Sequence, residues 1–181
     1  KNIDLRISTN ASVWDEKLLN ILSQFRSVDI GISIDSHIKE EFEYIRHKLD
    51  YDLTMENFKK FKNFEANNPN ISLRISCTIT VFNVWNIDEI YKNLNRNLKT
   101  KIGVPNFVFK PDHHDIRHLP KAVKMLLIEK LKSNTEFEPI LSYVDQVIPG
   151  CANYWPKFCM ETDRLDKIRN QQFSIVYPEW Y

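Results

Sequence analysis

Val28-Asp29-Ile30-Gly31-Ile32-Ser33-Ile34-Asp35-Ser36 decides the fold. Val28, Ile30, Ile32 and Ile34 alternate with Asp29, Gly31 and Ser33, the period of a strand with one apolar face. The strand ends on Ser33, Asp35 and Ser36, where helical pattern resumes almost at once. In a β/α architecture ligands sit at the carboxyl ends of strands and on the loops that follow them. The alternative use of Asp35 and Ser36 is to cap the next helix.

The same switch of period recurs on both sides of this stretch. Ile3, Leu5 and Ile7 alternate with Asp4, Arg6 and Ser8, and the strand closes at Ser8-Thr9-Asn10. Trp14, Leu18, Leu19, Ile21, Leu22 and Phe25 follow at helical spacing, with Ser12 as candidate cap. Helices are expected around Lys39–Lys48 and from Thr54, as cap, to about Ala66, before the breaker Asn67-Asn68-Pro69-Asn70. Ile71–Phe82 reads as the longest strand, Ile87–Leu98 as a helix, Val104–Lys110 as a strand stopped by Pro111, and Leu119–Leu131 as a helix. Four β/α units in succession imply parallel strands, because a parallel pair needs a crossover and a helix supplies it.

Strand faces refine the expectation. A doubly wound sheet is covered on both sides and its strands read as continuous apolar runs. Here Arg6 and Ser8, Asp29 and Ser33, and Arg74, Ser76, Thr78 and Thr80 give the strands a polar second face. Leaving such groups buried without partners would cost about 1–3 kcal/mol each. An open partial barrel with a wet inner face fits this pattern; an antiparallel α+β sheet with one solvated face is the alternative. Ser8, Ser33, Arg74, Ser76 and Thr78 are expected on the concave side, and Ile30, Ile32, Ile75 and Ile79 against helices. Residues 1–133 form this α/β part. Residues 134–181, rich in proline and aromatics and helical near Met160–Asn170, form a C-terminal extension whose aromatics pack back on it.

Composition limits the functions available. With 181 residues, 43% hydrophobic and 27% charged, the chain can bury an ordinary core. The formal net charge of +1 gives neither nucleic acid nor an anionic membrane an electrostatic footing as partner. No long apolar run or signal-like N-terminus is present, so a cytoplasmic location is expected. Cys77, Cys151 and Cys159 suggest no disulfide framework. Three glycines leave no phosphate-binding loop. The chain enters a strand by Ile3, which reads as the middle of a larger fold.

Ser8-Thr9-Asn10, Ile32-Ser33-Ile34-Asp35-Ser36, and Glu43-Tyr44-Ile45-Arg46 followed by Asn57 together resemble the radical S-adenosylmethionine (SAM) superfamily. The likeness is to members with a SPASM or twitch extension. Ile79-Thr80-Val81-Phe82-Asn83 resembles the family's next strand end. Asp163–Trp180, with Asp166, Lys167, Arg169 and Pro178, resembles the closing signature of twitch members. The resemblance implies part of a (β/α)6 partial TIM barrel, four parallel units of it, whose first strand here matches the family's third. It implies SAM and a [4Fe-4S] cluster in the complete enzyme, an electron donor, and a 5′-deoxyadenosyl radical for hydrogen abstraction from a small-molecule or peptide substrate. Carried over by position, Asn10 would lie near SAM, Ser33 and Asp35 would reach its ribose or amino-acid portion, and Arg46 would face its carboxylate. Thr80 and Asn83 would line the adenosine or substrate side. The alternative for Arg46 is an exposed pair with Glu43, one helical turn away.

The sequence departs from the family at the catalytic motif: no CxxxCxxC is present. The chain alone is therefore expected to be inactive, with no catalytic or metal-ligating residue of its own and no tightly bound cofactor. A noncatalytic binding or scaffold domain on a remnant barrel is the alternative. His113, His114 and His118, with Asp112 and Asp115, lie between Pro111 and Pro120 and read as a solvated loop rather than a metal site. Cys151 and Cys159 are too few for an iron–sulfur cluster, and Cys77 reads as a packed core thiol.

Overall fold

The computed structural model describes residues 2–146 and 154–180. The chain is mixed α/β with parallel sheets. It divides into two compact units: residues 1–77 with 90–104, and residues 78–89 with 105–181.

The first unit is built on β1 (Asp4–Thr9), β2 (Ser27–Ser33) and β3 (Ile71–Ser76), hydrogen-bonded in chain order and parallel throughout. Helix α1 (Glu16–Leu22) connects β1 to β2; α2 (Lys39–Ile45) and α3 (Tyr51–Asn67) connect β2 to β3. Val28, Ile30, Ile32 and Ile75 are almost wholly buried, and with Phe42, Phe58 and Phe61 they form the core of this unit. On the opposite face Asp29 of the central strand accepts from Arg6 Nε at 2.9 Å and Arg74 Nε at 3.0 Å. That shared carboxylate explains how two arginines stand on a sheet face without stranding a charge. Gly31 leaves room for the Arg74 guanidinium to lie over the central strand; a Cβ there would come within 2.8 Å of it and the arginine tip would have to shift.

Two helix starts in the first unit differ from the sequence reading, and in the second unit the helices expected from Leu119 and near Met160 start at Lys121 and Trp155. Helix α1 begins three residues later than Ser12 implies, capped by Asp15, whose Oδ1 accepts from the Leu18 N–H at 3.0 Å. Ser12 is engaged instead by Asn10, whose Oδ1 accepts from both its N–H and its hydroxyl. Helix α3 starts at Tyr51, capped by Asp50 rather than Thr54; the Thr54 hydroxyl turns back to donate to the Asp50 carbonyl.

The long strand expected over Ile71–Phe82 is interrupted at Cys77. Ile75 donates to Lys101 and accepts from Gly103, in a parallel bridge with Ile102. The second unit then opens with β4 (Thr78–Ile79), paired in parallel with β5 (Asn106–Phe107). β5 is far shorter than Val104–Lys110: Val104 is exposed and Pro105 has no N–H for a ladder. Helix α4 (Ile87–Leu98) has the expected bounds.

In the second unit α5 (Lys121–Leu131), α6 (Glu138–Val144), α7 (Trp155–Arg169) and α8 (Phe173–Val176) follow two short 3-10 turns, Asp112–His114 and Ile116–His118. The aromatics of the C-terminal extension gather on Phe82, whose ring lies 5.4 Å from Phe158, 6.0 Å from Phe173 and 6.1 Å from Tyr177. Helix α7 ends on Asn170 in the left-handed conformation, a position that asparagine tolerates better than most residues.

One buried bond ties the β1–α1 connection to α3. Asn57 Nδ2 donates at 2.8 Å to the carbonyl of Ala11, a fully buried residue held at φ 55°. Replacing Asn57 by Ala should therefore lower unfolding free energy by about 1–3 kcal/mol, since a buried carbonyl loses its donor. Urea denaturation measures it, and a loss below about 0.5 kcal/mol, the range of neutral surface changes, would contradict this role.

Candidate functional site

Asp35 and Ser36, released just past the end of β2, are both buried, and each is paired with a residue of the helical segment that follows. Ile34 continues the strand by donating to the Ser76 carbonyl at 3.2 Å, which fixes the direction in which Asp35 leaves the sheet. Asp35 is 3% exposed and its Oδ2 accepts from Arg46 Nη2 at 2.8 Å. Arg46 closes α2, and its Nε is buried without a hydrogen-bond partner. Ser36 is fully buried; its hydroxyl donates to Glu41 Oε2 at 2.5 Å and accepts from the Ile38 N–H at 3.1 Å.

This arrangement corrects two sequence-level alternatives. Asp35 and Ser36 do not cap α2, whose N-cap is Ile38 with no side-chain hydrogen bond. Arg46 pairs with Asp35 rather than with Glu43, whose Oε1 accepts from the Tyr51 N–H at 3.1 Å. Glu41 is the residue the sequence reading missed. It is 3% exposed in the first turn of α2, and nothing in its spacing distinguishes it from an ordinary first-turn acid.

Cys77 lies within electrostatic reach of the pair. Burial pushes its thiol well above the ordinary cysteine value, the Asp35 carboxylate adds to the shift, and Arg46 opposes it. A thiol held protonated in this way is neither nucleophile nor ready ligand at neutral pH.

The other site residues named from sequence are placed as follows. In the first unit, Ser33 ends β2 half-buried, and Asn10 is exposed and engaged with Ser12. In the second unit, Thr80 and Asn83 are buried and bond within their own turn. Asn83 Oδ1 accepts from the Thr80 N–H, its Nδ2 donates to the Thr78 carbonyl, and Thr80 Oγ1 accepts from the Phe82 N–H. Within the first unit, Asp35 and Arg46 are brought together, with Ser33 two residues before Asp35.

The histidine segment is a structured turn rather than a solvated loop. His113 is buried, and its ring lies 4.5 Å from that of His114, which packs edge-on against Phe82 at 5.0 Å. Asp115 is fully buried and holds Arg117, with Nη2 at 2.6 Å; Arg117 lies 4.6 Å over the Tyr143 ring. No group of three or more His, Cys, Asp or Glu side chains placed to hold a metal ion exists among the described residues. Cys159 is exposed, and Cys151 lies outside the described residues.

Comparison with protein-family models, with curated proteins and with solved structures finds no match to this chain.

Burial, with the neighbouring charges of His113 and Arg169, lowers the His114 pKa from 6.5 to about 4. The folded chain thus refuses a proton that the unfolded chain accepts. Stability from this residue is complete above pH 6.5 and is lost as pH falls towards 4. His113 and His118 are shifted in the same direction, also mainly by burial. Urea midpoints should fall across this window, and His114→Phe should flatten the fall. An unchanged pH slope in the variant would show that His114 does not carry it.

Proposed function

We propose that this chain is the C-terminal portion of a radical SAM enzyme of the SPASM or twitch type, built on a partial (β/α)6 barrel. The observation that carries the proposal is the pair of buried Asp35 with half-buried Arg46 just past the carboxyl end of β2, in a sheet whose strands run parallel in chain order. This is where β/α folds bind ligands, and these residues stand at the positions that the resemblance assigns to SAM contact.

Arg46 fits a carboxylate ligand. Its guanidinium is anchored by one acidic partner, and its Nε is buried without an acceptor. A second carboxylate would complete the planar fork of donors that arginine offers. Asp35 would set the plane of that fork, and Ser33 would offer a hydroxyl at the same strand end. The [4Fe-4S] cluster does not fit the residues present. The sequence has no CxxxCxxC, and the described residues hold no metal-binding group. The iron-bound chemistry would have to come from an upstream segment, with hydrogen abstraction from a small-molecule or peptide substrate as the outcome.

The edge of the sheet supports such a segment. Among the described residues β1 pairs with β2 alone, its Leu5 and Ile7 are only half-buried, and Leu18 and Ile21 of the adjoining α1 are about half exposed. Another β/α unit laid against β1 would cover these groups and use its free backbone donors and acceptors.

A second reading rests on the internal pairing of these side chains. Asp35 is already held by Arg46 and Thr80 by Asn83, as suits a noncatalytic binding or scaffold domain on a remnant barrel. The coding sequence upstream of Lys1 separates the two. An in-frame CxxxCxxC roughly 80–100 residues before Ser8, the size of the missing part of a domain, is the expected result. A start codon shortly before Lys1 with no such motif would overturn the enzyme reading in favour of the scaffold.

A further inference from the structure

The polar face of the first unit's sheet carries more positive charge than its own carboxylates neutralise. Arg6 and Arg74 approach the same oxygen, Asp29 Oδ2, and each does so through Nε, at 2.9 and 3.0 Å. Their Nη groups have no hydrogen-bond partner among the described residues. Arg74 lies between two of the chain's three glycines: a Cβ on Gly31 would meet its guanidinium at 2.8 Å, and one on Gly103 would meet its Nη1 at 3.4 Å. The side chain is thereby held down to 23% exposure, yet neither Nη is sealed from solvent.

Register adds further groups to this face. Ser8 stands opposite Gly31 on β1 and is exposed, with its hydroxyl unbonded among the described residues. Gly103 and Lys101 flank Ile102, which bridges to Ile75, so alternation puts both on the face that carries Arg74. Lys101 is exposed and has no ion-pair partner among the described residues. Asp4, which shares the face of Arg6, is already taken by Arg26 and Ser27. Arg6, Arg74 and Lys101 therefore stand against Asp29.

We propose that this face binds an oxyanion, the carboxylate or phosphate group of a ligand, on the Nη edges of Arg74 and Arg6. A guanidinium presents coplanar paired donors that match either group. Asp29 fixes the Arg74 fork through Nε and leaves the Nη edge for the ligand. Ser8 adds a hydroxyl donor across Gly31, and Lys101 adds charge of the sign that favours an anion. The inference goes beyond the radical SAM reading and uses none of the residues named there for SAM contact.

The test is a titration of the 181-residue chain, labelled with nitrogen-15 at glycine alone, with inorganic phosphate, with sodium acetate and, at matched ionic strength, with sodium chloride. Phosphate or acetate should move the Gly31 and Gly103 amide signals saturably, and chloride should not. The tighter of the two oxyanions identifies the ligand's acidic group. Arg74→Lys keeps the charge but loses the fork, and should weaken binding about tenfold. Gly31→Ala keeps every charge and displaces the Arg74 guanidinium, so it should weaken binding as well. Lys59→Gln, an exposed change on α3, should leave it unaltered. Saturation by neither oxyanion, equal shifts in chloride, binding that neither Arg74→Lys nor Gly31→Ala weakens, or a loss in Lys59→Gln as large as that in Arg74→Lys would each overturn the proposal.

Discussion

The ion pair between Asp35 and Arg46 is the constraint on which the chain beyond β2 in the first unit depends. A carboxylate this deeply buried is tolerated only when it is paired, because the desolvation of a lone charge costs several kcal/mol. Its partner stands at the far end of α2, so the turn after β2 and the whole of α2 must be set before the pair can close. Ser36 and Glu41 brace the same turn from the side, through a 2.5 Å bond between two residues that are both almost inaccessible to solvent. The result is a strand end whose polar groups are positioned by packing, which is what a ligand site on a β/α fold requires.

The parallel β/α order was legible because its signal is periodic. Ile30, Ile32 and Ile75 declare one face of the sheet, and the intervening helical spacing declares the crossovers. The polar second face was legible as well, although its cause was not. That Arg6 and Arg74 share Asp29 depends on the register of three strands, which a single strand's pattern does not reveal. The boundaries failed where a local side-chain bond outweighed the pattern. Asn10 occupies Ser12 and Asp15 caps α1; the Thr54 hydroxyl turns back to the Asp50 carbonyl and Asp50 caps α3.

Of the candidate site, Asp35 and Arg46 could be named from sequence, but their mutual pairing could not. They are eleven residues apart across a loop and a helix, beyond the reach of any spacing rule. Glu41 went unread because an acidic residue in a first helical turn is ordinary on electrostatic grounds, and its burial is a tertiary fact. The histidines show the same limit. Proline on either side suggested an open loop, whereas His113 and His114 are drawn inward by the aromatic cluster around Phe82. In that second unit the aromatics form their own core, from side chains that the sequence showed only as an unusually aromatic segment.

The most direct measurement of the central claim is a double-mutant cycle on the strand-end pair. Asp35→Asn, Arg46→Met and the double variant would be compared with the parent chain by urea denaturation at neutral pH. If the pair organises this end of the unit, each single change strands a buried partner and the double change relieves it, giving a coupling energy of about 1–3 kcal/mol. Single effects that add to within about 0.5 kcal/mol would contradict the account, because the two side chains would then be neighbours without being partners.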